Sequence, residues 1–153
     1  MFTKKGFTLL ELLIVVAVLA VLSAIVLSSF SAFRNSKVLD TAVEDVLTAL
    51  SQARGDTLSS KDGLQYGVHL QADKAVIYQG ATYSSSDSNN QDVVLDGALE
   101  ITSITLTGGG QNVLFDRLTG KTSQNGTFVI RVTNDTAKTR TITVNGTGVA
   151  SSS

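Results

Sequence analysis

The chain has 153 residues, with 12 Lys and Arg against 13 Asp and Glu, and no Cys, Pro or Trp. A net charge of −1 excludes a strongly basic nucleic-acid surface. The missing cysteine excludes disulfides, thiolate nucleophiles and Cys-based zinc sites. The length suits one domain with an appendage, and without proline a long helix has no built-in kink.

Residues 7–27 form the densest apolar run, in which Glu11 is the only charge and Thr8 and Ser23 are the only other polar side chains. As a helix it would reach roughly 32 Å, enough for a hydrocarbon core of about 30 Å. A run apolar on all sides is expected to be surrounded on all sides. A secretory signal would have a shorter apolar core before its cleavage site, although Ser23-Ala24 and Ser28-Ser29 could mimic one. A plain membrane anchor accounts for Lys4 and Lys5 as cytoplasmic flanking charges, with Arg34 and Lys37 on the other side. Neither reading accounts for Glu11. An ionisable group in a membrane segment points to function; the bland alternative is a carboxylate that snorkels to the interface.

Beyond residue 27 the pattern turns amphipathic. Val38, Leu39, Ala42, Val43, Val46, Leu47, Leu50 and Ala53 fall on one helical stripe, with charges on the other faces. One helix is expected from about 7 to 55, ending at Gly55-Asp56, its stripe packed on a sheet. From residue 63 the period becomes two. Strands are expected at 65–71, 74–79, 92–96, 99–107, 111–116, 126–133 and 139–145. Short connections without helices between them imply antiparallel sheets. The segment 80–91, GATYSSSDSNNQ, reads as a mobile surface loop.

Little in the chain suggests catalysis. His69, the only histidine, sits in a strand pattern, and no serine lies in a nucleophile-elbow motif. Asp87 and Asp92 could bind calcium, but their spacing fits no EF-hand and a solvated loop is the better reading. Asn125, Asn134 and Asn145 begin glycosylation sequons, yet each stands where a turn already accounts for it.

The stretch Lys4-Lys5-Gly6-Phe7-Thr8-Leu9-Leu10-Glu11, followed by a long apolar run, resembles the processing and methylation site of type IV prepilins and type II secretion pseudopilins. The resemblance implies a basic leader, residues 1–6 with Lys4 and Lys5, removed by a prepilin peptidase between Gly6 and Phe7. It implies N-methylation of Phe7. It also implies that Glu11 pairs with the terminal amine of a neighbouring subunit in the filament. The outline of residues 45–149 is similar to the GspH/FimT group of minor pilins. That similarity is carried by Leu50-Ser51-Gln52-Ala53-Arg54, by Val113-Leu114-Phe115-Asp116 with Gly120 and Gly126-Thr127-Phe128, and by the end strand from Arg140 to Gly148-Val149.

The implied fold is α+β: a long N-terminal helix, half transmembrane (7–27) and half amphipathic (28–55), packed on an antiparallel β-sandwich globular domain (63–150). The implied function is that of a structural, non-enzymatic subunit, a minor pilin or pseudopilin, with no cofactor or metal. Its partners would be other pilin or pseudopilin subunits, prepilin peptidase and, before assembly, the inner membrane, with the C-terminal domain outside the cytoplasm. A major pilin of a thin filament is the alternative within the class, and a membrane-tethered binding domain that never polymerises is the alternative outside it. DNA-uptake members of the group carry arginines near the terminal glycine. Here Gly148 is followed by Val149-Ala150-Ser151, with Lys138 and Arg140 the nearest cations, so DNA is not an expected partner.

Overall fold

The structure is a computed structural model that describes residues 6–153; the basic leader residues Lys4 and Lys5 lie outside the described residues. It divides into two compact units, residues 1–35 and 36–153. One helix, α1 (Leu9–Leu58), contributes to both. Thr8 starts it as the N-cap: its hydroxyl accepts a hydrogen bond from the Glu11 N–H at 3.2 Å. In the first unit α1 is built mainly from Leu, Ile, Val and Ala with no breaker, and the apolar side chains described there are exposed on every face.

In the second unit α1 has a sharply one-sided burial pattern. Leu39, Ala42, Val43, Val46, Leu50 and Ala53 are buried, as the stripe predicts, and Ala49 joins them. The helix does not stop at Gly55-Asp56 but runs one further turn to Leu58. Thr57 is the reason. Its hydroxyl donates to the Ala53 carbonyl at 2.8 Å and accepts from the Tyr66 N–H at 2.9 Å, so the last turn is tied to the first strand. Ser60, in the left-handed region at φ 53°, then turns the chain into a 3-10 turn, Lys61–Gly63.

Eight strands follow: β1 (Tyr66–Leu70), β2 (Lys74–Gln79), β3 (Gln91–Val94), β4 (Leu99–Leu106), β5 (Asn112–Leu114), β6 (Gly126–Val132), β7 (Asp135–Val144) and β8 (Ala150–Ser152). They form two four-stranded sheets, ordered β3-β2-β1-β5 and β4-β6-β7-β8, with every pairing antiparallel. Seven lie where alternation places them. β7 begins four residues earlier than expected, and β8 was not anticipated, because a Ser-rich tail has no apolar alternation. Backbone pairing to β7 defines it, and it extends to the Ser153 N–H, which donates to the Thr141 carbonyl at 3.0 Å.

One core joins the stripe of α1 to both sheets. Val68, Leu70, Ala75, Ile77 and Val113 come from the first sheet, with Phe115 just past β5; Ile101, Phe128, Ile130, Val132, Ile142 and Val144 come from the second. A bulge between Thr102 and Thr105, with Ser103 at φ 50°, resets the register of β4 on β6 and lets Leu106 point inward like Leu99 and Ile101. Arg140 on β7 reaches Asp40 on α1 at 3.0 Å.

The first sheet is also covered on its other face. Val76 and Tyr78 are buried outside the main core. The Tyr78 ring lies over Gly67 so closely that a Cβ there would fall 2.6 Å from it. Segment 80–90 closes this face and is not the free loop its composition suggests. Tyr83 stacks on His69 with ring centroids 3.9 Å apart and meets Tyr78 edge-on at 5.6 Å. The turn beneath is tied by Asn90 Nδ2 donating to the Ser84 carbonyl at 2.8 Å and the Asn89 N–H donating to Asp87 Oδ1 at 2.9 Å. One aromatic ring in a polar stretch is enough to anchor it.

Candidate functional site

Gly6 and Phe7 lie just ahead of α1, both exposed, and Phe7 is 84% accessible. Thr8 and Glu11 occupy the N-cap and third helical positions, the spacing of a capping box. The Glu11 carboxylate therefore sits in the first turn, where the helix macrodipole is positive and favours an anion. Thr8 was not singled out by its sequence, although the Thr-Leu-Leu-Glu spacing is the signal that could have found it. From Leu9 to Val26 the helix is apolar over 18 residues and none of it is buried within the chain. Such a surface needs lipid or other helices around it. A carboxylate at its head would be costly in that environment unless a cation came with it.

A second constellation lies in residues 36–153. Arg54 on α1 donates from Nε to the Gly120 carbonyl at 3.0 Å. Gly148, at φ 80°, packs against the same carbonyl so tightly that a Cβ would overlap the oxygen. The Gly120 N–H donates to the Asp116 carbonyl at 2.8 Å, and the Thr122 N–H donates to the Gly146 carbonyl at 3.2 Å. These contacts clasp three distant segments together: the end of α1, the 116–122 turn and the β7–β8 turn. Arg54, Gly120 and Gly148 are separate features of the sequence, and the structure brings them to one point. The clasp sets where the last strand lies and leaves no room for a ligand between its glycines.

The remaining candidates serve the fold. His69 is half-buried, with Nδ1 2.7 Å from Asn112 Oδ1, a hydrogen bond that ties β1 to β5. Asp92 pairs with Lys74 at 2.7 Å, which raises the pKa of Lys74 through that hydrogen bond. Asp87 is taken up by its own turn, and among the described residues no group of three or more His, Cys, Asp or Glu is placed to hold a metal. Arg140 is engaged with Asp40. Burial pushes the pKa of Tyr78 up to about 12. Burial, with a hydrogen bond to Asp62, pushes that of Tyr66 up to about 12 as well.

A family model described as the prokaryotic N-terminal methylation motif matches residues 1–27. One described as type II transport protein GspH matches residues 42–148. Among solved structures, the fold is similar to the type IV minor pilin FimU of Pseudomonas aeruginosa, with a TM-score of 0.52, 16% identity, and coverage of 75% of this chain and 92% of that one. A search of curated proteins by sequence finds no match.

Proposed function

We propose that this chain, which belongs to the type II transport protein GspH family, is a non-catalytic structural subunit of a type IV pilus or type II secretion filament, and within that filament a minor one. The observation that carries the reading is the helix segment Leu9–Val26, apolar on every face and uncovered by its own chain. In the inner membrane, lipid would surround it; in a filament, the same segments of neighbouring subunits would.

The first turn supplies the switch between the two. Prepilin peptidase, directed by Lys4 and Lys5, cuts between Gly6 and Phe7, and Phe7 becomes a methylated terminal amine. That amine is cationic and stands at the positive end of α1, so it is poorly placed beside its own helix dipole. The Glu11 carboxylate of a neighbouring subunit neutralises it inside an apolar bundle. Leaving either charge unpaired there costs several kcal/mol, so the pair marks one axial register over others. The β-rich unit stays outside the cytoplasm throughout. Phe7, Glu11 and Gly6 are thus substrates and fasteners, not catalysts.

The test is Glu11→Ala in cells that make the filament. The variant should be cleaved as the parent is, and its amount in sheared filaments should fall by about tenfold or more. Normal incorporation of the cleaved variant would sink the pairing.

A further inference from the structure

Two Asn-Gly dipeptides stand at the same end of the second sheet, Asn125-Gly126 at the start of β6 and Asn145-Gly146 just after β7. Asparagine favours turns because it tolerates left-handed backbone or because its side chain bonds the turn. Neither reason applies at 145. Its φ is not positive, and among the described residues its exposed side chain makes no hydrogen bond. The fold uses only its backbone: the Asn145 N–H donates to the Val149 carbonyl at 2.9 Å, and its carbonyl accepts from the Gly148 N–H at 2.8 Å. The Gly146 N–H has no acceptor among the described residues. A carboxamide carbon and an unengaged amide nitrogen thus sit side by side in an exposed turn, and Gly146 has no Cβ to keep them apart.

We propose that Asn145-Gly146 is a self-modifying site whose conversion releases the clasp. The Gly146 nitrogen attacks Asn145 Cγ and gives up its proton to solvent. The new C–N bond closes a succinimide, and the carboxamide nitrogen leaves with a proton as ammonia. Water then opens the ring. Opening at one carbonyl gives aspartate; opening at the other routes the main chain through the side chain and gives isoaspartate, with a methylene added to the backbone. Water is the only co-reactant, and nothing is oxidised or reduced. Asn125-Gly126 has the same sequence in the opposite setting. Its carbonyl accepts from both the N–H and the hydroxyl of Thr107, at 2.8 and 2.9 Å, and Gly126 lies in register with Leu106 on one side and Val144 on the other. That peptide plane cannot rotate towards its side chain without opening the ladder, whereas the turn at 145 gives up a single hydrogen bond. The consequence at 145 follows from the clasp. The Gly146 carbonyl holds the Thr122 N–H, and Gly148 packs on the Gly120 carbonyl that Arg54 binds. An added methylene at 145 displaces both glycines, so the β7–β8 turn leaves the clasp and β8 loses its anchor. The release is slow and irreversible, needs no partner, and is independent of the filament reading.

The full chain in detergent micelles would be aged in mildly alkaline buffer and digested for peptide mass spectrometry, with isoaspartate read by enzymatic methylation of its α-carboxylate. In the folded chain Asn145 should convert about tenfold faster than Asn125, or more. In urea, where neither peptide unit is held, the two rates should converge. The aged parent should unfold at lower urea than the fresh one, shifting towards Gly148→Ala. Asn145→Gln, whose longer side chain does not close the same ring, should show neither the conversion nor the shift. Asn145→Asp, which gains the charge without the methylene, should unfold with the fresh parent. Equal rates at the two asparagines in the folded chain, or a slower one at 145, overturn the site. Conversion to isoaspartate at 145 with an unchanged urea midpoint overturns the release of the clasp.

Discussion

Replacing Gly148 by alanine tests whether the clasp is as tight as its geometry states. At φ 80° an alanine pays the left-handed penalty, about 1–2 kcal/mol. Its Cβ would also overlap the Gly120 carbonyl oxygen, which holds Arg54. If the carbonyl moves away, the charge-assisted hydrogen bond goes with it, another roughly 1.5–3 kcal/mol. The expected loss is about 3–5 kcal/mol, a large part of the stability of an ordinary domain. Two controls separate the contributions. Gly63→Ala carries the strain alone, since φ is 71° but nothing lies within 4 Å of the added carbon; it should cost about 1–2 kcal/mol. Gly146→Ala has neither burden, its nearest neighbour being 3.9 Å away, and should stay within about 0.5 kcal/mol. Urea unfolding of the full chain in detergent micelles, followed by the near-ultraviolet circular dichroism of its tyrosines, gives all three from midpoints at a common slope. If Gly148→Ala fell within about 0.5 kcal/mol of Gly146→Ala, the close approach of the two turns would be refuted.

Two further outcomes follow from buried polar groups. Thr57→Val should cost about 1–3 kcal/mol by leaving the buried Tyr66 N–H without its acceptor, and Thr57→Ser should recover most of the loss, both measurable by the same unfolding assay. Burial pushes the pKa of Tyr66 and Tyr78 from 10.0 up to about 12, so their folded pKa exceeds the unfolded one. The unfolded chain then loses protons first: their contribution is complete below about pH 10 and disappears as pH rises towards about 12. Near-ultraviolet absorbance should show Tyr66 and Tyr78 ionising late, and ionisation of both near pH 10 would contradict their burial.

Much of the architecture was legible because it rests on period. The 3.6-residue stripe from Val38 to Ala53 and the two-residue alternation of strands such as Phe128-Ile130-Val132 mark the same residues that form the core. Other features rest on single side chains meeting across long sequence separations, which no periodicity reports. Gly55-Asp56 has the chemistry of a helix end, but Thr57 two residues on has a buried partner in β1 that keeps the helix going. Segment 80–90 has the composition of a free loop, and only the Tyr83–His69 stack reveals that it covers a sheet face. β8 forms by backbone pairing alone, for which a run of serines leaves no sign. The N-terminal methylation motif, matched over residues 1–27, was readable because its signals are contiguous in sequence. The clasp was readable only as three scattered residues, which the fold brings to one point.

Processing, and with it assembly, turns on the junction of Gly6 and Phe7. Co-expression with a prepilin peptidase, followed by intact mass and N-terminal peptide mass spectrometry, reads it in one measurement. The prediction is a chain that begins at Phe7 with a methylated amine and retains Glu11 five positions in. A chain still starting at Met1, or one cut after Leu27, would contradict the central claim.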